Sequence, residues 1–234
     1  MRRGCAHLIG SPRLYLIRHG ETAWSITGQH TGSTDIALTV HGAEEARALA
    51  PFLQTVQFSQ VLVSPLLRAR QTCELAGLGG GAISDPDLAE WDYGDYEGLR
   101  TLEIHKEKPD WSVWRDGCPH GETPAAISDR ADRLLTRLRP SSGNVALFSH
   151  GQFGAALAAR WIAMAVIEAQ HLALGPASIS ILECEPAHPH VPVIALWNAG
   201  QFVLHYAYAG AQIGETSAVG SMQPQSPSAQ DPAA

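Results

Sequence analysis

Leu14–Ile17 is an unbroken apolar, aromatic and branched run, and Arg18, His19 and Gly20 come directly after it. A strand of that composition has to be covered on both faces. Arg18 and His19 are then delivered to its C-terminal end, the edge at which open α/β sheets bind ligands. Each must keep its charge or lone pair solvated or bound, and Gly20 lets the backbone turn or approach a ligand closely. Alone, the heptad LYLIRHG also fits a surface arginine and a structural histidine.

The rest of the chain alternates between the two periodicities. Glu21–Asp35 is polar and glycine-punctuated, a loop or broken helix over the first strand end. Thr39 is an N-cap for a helix over Val40–Leu53, where Ala46, Leu49, Ala50 and Leu53 recur at helical spacing. Gln60–Ser64 reads as a second buried strand, Leu66–Leu75 as its helix, and Leu88–Leu99 is too irregular to assign. Further helices are expected over Thr101–Lys108 and Thr123–Leu138. Asn144–Ser149 is a third strand with the helix Gln152–Ala163 behind it, and Ser178–Cys184 and Val191–Trp197 supply two more. Such alternation predicts an α/β fold, a three-layer α/β/α sandwich around a mostly parallel central sheet. No linker interrupts it, so one domain is expected over 1–209, with residues 1–12 a flexible extension. From Gly210 the chain is small, polar and proline-containing, and 210–234 is expected to be disordered.

Composition narrows the partners. The 234 residues are 45% hydrophobic and 17% charged, ordinary for a globular protein, and a net charge of -7 argues against a nucleic-acid surface. Cys5, Cys73, Cys118 and Cys184 are scattered without a CxxC pair, which indicates neither a metal site nor a disulfide framework. Reduced thiols fit a cytoplasmic protein. The N-terminal apolar stretch is too short for a signal peptide and no segment reaches membrane-spanning length, so no membrane partner is expected. A homodimer through the edge strand Val191–Trp197 is the one assembly the sequence suggests.

Three strand ends carry chemistry: Arg18 and His19 on the first, Ser64 and then Arg68 after the second, His150 and Gly151 after the third. Neighbouring strand ends in such a sheet converge. Two arginines and two histidines brought together suit a phosphate ester, whose oxygens guanidinium groups grip bidentately.

At these positions the sequence resembles the histidine phosphatase superfamily, in its phosphoglycerate-mutase-like branch. LIRHGETAW is similar to that family's RHG signature, SPLLRARQT to its second arginine motif, LAEWDYGDYEGL to its acid-bearing segment and LFSHGQFG to its second-histidine motif. They stand in the family's order between Leu14 and Trp197. The resemblance implies that His19 is the nucleophile and forms a phosphohistidine, that Arg18, Arg68 and His150 clamp the phosphoryl oxygens, and that Glu90 donates a proton to the leaving oxygen. A neutral imidazole needs no metal for that role if its other nitrogen is held as a donor, for instance to a backbone carbonyl. No cofactor and no metal are implied. Dense arginine charge around the acid favours an optimum at acidic pH. Substrate contacts are implied at Trp24, Ser25, Thr31, Gly32, Tyr93, Arg115, Gly151 and Gln152.

Bland readings stand beside these. His150 alone reads as a core histidine and Arg68 as a solvated helix arginine like Arg70. On spacing, Glu90, Asp92, Asp95 and Glu97 are equivalent, and only the motif selects Glu90. The tryptophans read mainly as packing, with Trp24 and Trp91 close enough to site motifs to line a pocket, while His30, His105 and His120 have weaker claims. Arg115, His120, Glu122 and Thr123 fall in a loop expected to cover the site. The tract after the acid segment is short and lacks the mutase pattern's paired arginines, and Ser25 replaces the usual asparagine. Hydrolysis of a small phosphate ester is therefore the expected reaction, in a subgroup resembling both small bacterial acid phosphatases and sedoheptulose-1,7-bisphosphatases. A phosphoglycerate mutase and a non-catalytic phosphate-binding module are the alternatives.

Overall fold

The computed structural model describes residues 11–200. The expected extension over 1–12, apart from its last two residues, and the expected tail over 210–234 lie outside that range. Six strands form one sheet: β1 (Arg13–Arg18), β2 (Phe58–Val63), β3 (Ile83–Ser84), β4 (Asn144–Ser149), β5 (Ile179–Glu185) and β6 (His188–Ala199), in the order β3-β2-β4-β1-β5-β6. The pairings β3 to β2, β2 to β4 and β4 to β1 are parallel, and β5 runs antiparallel to both its neighbours. The sheet is thus mostly parallel.

Alternation along each central strand divides the core in two. Leu14, Leu16, Val145, Leu147 and Leu182 pack on one face, and Tyr15, Ile17, Ala146, Phe148 and Ile179 on the other. The first face is covered by α7 (Pro124–Leu138) and α8 (Gly151–Trp161). Against the second lie α2 (Val40–Ala48), α3 (Ala50–Leu53) and α4 (Leu67–Leu75). The helix α7 is dictated by its sequence: Thr123 accepts from the Ala126 N–H, Pro124 occupies the first turn, and Ile127, Ala131, Leu134 and Leu138 form the buried stripe. Shorter helices α1 (Ala23–Thr27), α5 (Thr101–Glu107) and α6 (Val113–Asp116) lie in the connections.

One expected helix is divided. The run Val40–Leu53 breaks at Leu49 into α2 and α3, because Pro51 has no N–H to offer the carbonyl of Arg47. The last strand extends beyond its expected ends, reaching His188 and Ala199. Among the described residues no helix is long and apolar enough to cross a membrane.

The topology sets β4 between β1 and β2, in a register that pairs Arg18 with Ser149 and Val63 with Phe148. His19 N–H donates to the Ser149 carbonyl at 3.0 Å and Ser64 N–H to that of Phe148 at 2.9 Å. The residues after the three strands therefore emerge side by side.

Candidate active site

His19 leaves β1 almost fully buried. Its Nδ1 lies 2.7 Å from the Gly20 carbonyl, which can only accept, so Nδ1 carries the proton and Nε2 keeps its lone pair. Burial, reinforced by the charges of Arg18 and Arg68, holds this imidazole well below the usual histidine range and keeps it neutral. A side chain at Gly20 would collide with the Gly42 backbone, so glycine is what lets this turn rest on α2. The Gly20 N–H in turn donates to Thr72 Oγ1 of α4 at 3.0 Å.

Arg18 donates through Nη1 to the Leu174 carbonyl, while its Nε is buried with no hydrogen-bond partner among the described residues. Beneath it α8 begins. A Cβ on Gly151 would stand 3.3 Å from Arg18 Nε and Cζ, so a side chain here would press the guanidinium aside by a few tenths of an ångström. Glu90 sits at the same helix end. Its carboxylate accepts from the N–H groups of Gln152 at 3.1 Å and Phe153 at 2.8 Å, and from its neighbour Trp91 at 2.9 Å. These three N–H groups fix the Glu90 carboxyl against the first turn of α8.

Arg68 and His150 are both completely buried and form the layer behind. Arg68 Nε donates to His150 Nδ1 at 3.2 Å, so His150 Nε2 carries the proton and donates to Ser64 Oγ at 2.7 Å. The other guanidinium nitrogens donate to the carbonyls of Thr31, Gly32 and Thr34 at 2.9 to 3.1 Å. That loop is itself held by Glu97, which accepts from the Gly32 and Thr34 N–H groups at about 3.0 Å. Neither Arg68 nor His150 is on the cavity wall: both His150 ring nitrogens and four of the five Arg68 N–H groups have protein partners, and the His150 ring stands behind that of His19, centroids 5.2 Å apart. His150 is also held neutral, by burial first and the charge of Arg68 second.

Arg18, His19 and Glu90 open onto a cavity of about 380 Å³ whose wall includes Ser25, Thr31, Tyr93, Gly151 and Gln152. Three expected contacts are elsewhere. Trp24 lies over Gly98, its ring 3.2 Å from where a Cβ would be. Gly32 is buried, with its carbonyl taken by Arg68. Arg115 is exposed and paired with Asp116 at 2.8 Å, the acidic neighbour having captured it. The covering-loop residues also have other tasks: Glu122 grips Arg130 at 2.6 Å, His120 pairs with Asp95 at 2.9 Å, and Thr123 caps α7.

The ambiguity among the four acids is resolved by geometry. Of them Glu90 faces the cavity; Glu97 holds the loop, Asp95 pairs with His120 and Asp92 accepts from the Gly94 N–H. Sequence reasoning missed Gln29, Trp114 and the stretch Gln170–Leu174, which complete the wall, and underweighted His30, stacked on Tyr93 with ring centroids 4.6 Å apart. Trp114, rather than Trp24 or Trp91, is the tryptophan on the wall. The stretch Gln170–Leu174 runs from the end of a short helical connection, Val166–His171, into the loop behind it, and its sequence carries no site-like pattern.

The profile of the histidine phosphatase superfamily (branch 1) matches residues 14–199. An acid phosphatase of Mycobacterium tuberculosis is 42% identical over 188 residues, covering 79% of this chain and 92% of that protein. A sedoheptulose 1,7-bisphosphatase of Saccharomyces cerevisiae is 36% identical over 189 residues, covering 67% of this chain and 69% of its own. A solved structure of a Mycobacterium tuberculosis open-reading-frame product superposes with a TM-score of 0.76 at 40% identity, covering 81% of this chain and 98% of that one.

Proposed function

We infer the mechanism from one premise: this chain belongs to the histidine phosphatase superfamily, branch 1. It is a phosphoric monoester hydrolase acting on phosphorylated metabolites. In the reading we favour, His19 Nε2 attacks phosphorus in line, a P–N bond forms, and the P–O bond to the leaving group breaks with its electron pair on oxygen. Glu90 passes a proton to that oxygen. Water then gives a proton back to Glu90 and attacks the phosphohistidine, and the P–N pair returns to Nε2. Arg18 takes phosphoryl oxygens through its guanidinium, and Arg68 adds charge from the layer behind.

The observation that carries this reading is the tautomer of His19: the bond from Nδ1 to the Gly20 carbonyl leaves Nε2 unprotonated and ready to attack. Glu90 opening onto the same cavity supports the proton relay. A cytoplasmic location belongs to the same proposal and is supported by the free thiols of Cys73, Cys118 and Cys184.

The test is hydrolysis of p-nitrophenyl phosphate and small sugar phosphates without added metal, wild type beside His19→Ala. The expected result is turnover that disappears in the variant, together with an acid-labile phosphoryl group on His19 in wild type. Turnover surviving in His19→Ala would sink the mechanism. Stimulated interconversion of phosphoglycerates on adding 2,3-bisphosphoglycerate would instead identify a mutase.

A further inference from the structure

The charges around the cavity are few. Among the described residues its wall carries the guanidinium of Arg18 and the carboxyl group of Glu90, with Arg68 behind. The imidazoles of His19 and His150 are neutral, and burial holds His30 below its usual range as well. Two guanidinium groups match the charge of one phosphoryl group, about −1.5 to −2 near neutrality. A second phosphate on the same substrate would find no further lysine or arginine on the wall among the described residues.

The rest of the wall includes polar but uncharged side chains at Ser25, Gln29 and Gln170 and apolar ones at Trp114, Ala155 and Leu172. Beyond Trp114 a separate depression contains Arg115 and Arg160, which offer no relief. Arg115 is paired with Asp116, and Arg160 is held at both ends of its fork by Asp132 at 2.9 and 2.8 Å. Drawing either toward a ligand would strand a carboxylate. At about 380 Å³ the cavity is also at the small end of ligand pockets, which run from roughly 300 to 1,000 Å³.

We propose that this cavity selects monophosphate esters of uncharged alcohols and discriminates against bisphosphates and phosphorylated acids. The selection comes from the lack of a further counter-charge on the wall among the described residues. A second phosphate or a carboxylate must lose water on entering without gaining a cation. A hydroxylated or aromatic leaving group instead meets the amide and hydroxyl groups of Gln29, Gln170 and Ser25 and the Trp114 ring. This proposal rests on the hydrolase reading of the same site.

Matched pairs test it. Fructose 6-phosphate against fructose 1,6-bisphosphate differs by the second phosphate, and glycerol 3-phosphate against 3-phosphoglycerate by the carboxylate. The member of each pair without the extra charge should lead in kcat/KM by about tenfold or more, the least an unpaired charge in a half-enclosed site costs. Gln170→Arg, at an exposed position on the rim where folding is not at risk, should raise the bisphosphate-to-monophosphate ratio of kcat/KM by about tenfold. Equal or better turnover of the more charged member in either pair, dependent on His19, would overturn the selection while leaving the phosphohistidine mechanism intact. An unchanged ratio in Gln170→Arg would overturn it too. Hydrolysis of no ester, or hydrolysis independent of His19, would overturn both.

Discussion

Two neutral histidines buried beside two arginines make stability depend on pH in a calculable way. His19 and His150 both protonate in the folded protein only well below the ordinary value of 6.5. The unfolded chain therefore binds more protons than the folded one below about pH 6.5, and stability falls as pH falls through that window. Each histidine contributes a slope approaching about 1.4 kcal/mol per pH unit. Integrated from about pH 7 to about pH 5.5, this gives about 1.2 kcal/mol per histidine and about 2.5 kcal/mol for the pair. Paired carboxylates do not imitate the effect. The Asp87 carboxyl is held below its ordinary value of 3.8 by Arg133 and Arg137, against its own burial, so its contribution is lost only at lower pH. His30 acts in the same direction as the pair, which is why the comparison has to be between variants. Urea unfolding of wild type, His19→Asn and His150→Asn at both pH values is the assay. Each substitution should remove about 1.2 kcal/mol of the acid-induced loss, whatever it does to stability at neutrality. A loss as large in the variants as in wild type, or wild-type stability that rises on acidification, would refute the burial of neutral imidazoles. The same depression has a catalytic consequence: His19 stays an unprotonated nucleophile in mild acid, so its own titration does not silence activity there.

Two further perturbations act on the supports of the site. Gly151→Ala places a Cβ 3.3 Å from Arg18 Nε and Cζ while Nη1 remains tied to the Leu174 carbonyl, so the guanidinium must shift by a few tenths of an ångström. Steady-state kinetics should show kcat/KM down by about tenfold with thermal stability unchanged or slightly raised, since alanine suits a helix better than glycine; full activity would contradict the close packing. Glu97→Gln replaces one acceptor oxygen with a donor opposite the Gly32 and Thr34 N–H groups, freeing the loop that holds Arg68. Urea unfolding should register a loss of about 1 to 3 kcal/mol, and kinetics a fall mainly in kcat, with wild-type behaviour in both measurements counting against the role given to that loop.

The parts of this protein that can be read in its sequence are those that one chemical pattern specifies twice. Asn144–Ser149 is apolar enough to be a strand buried on both faces, and the polar residues after it mark where that strand must stop, so β4 has the expected bounds. The run Leu14–Ile17 likewise marks β1, which extends one residue further at each end, to Arg13 and Arg18, and since the ends of β1, β4 and β2 are neighbours, His19, Ser64 and His150 are expected together. Pro51 is equally legible as a break in Val40–Leu53, but apolar spacing outweighs it. What the pattern does not convey is whether a charged side chain is available. Arg68 is engaged by the carbonyls of Thr31, Gly32 and Thr34, and a backbone carbonyl has no identity in a sequence. Arg115 is engaged by a residue that is visible in the sequence, Asp116, yet a neighbouring acid only sometimes captures an arginine, and the short helix α6 is what brings the two together. Substrate choice depends on those commitments. A pocket recognises a second phosphate through cations that have no other partner, so two homologues with the same four motifs can differ in substrate because one arginine has found an internal carboxylate. For this reason the reaction is carried by the strand ends, while selectivity is carried by the connections between them, in the partners that Arg115, Arg160 and the Gln170–Leu174 wall happen to keep.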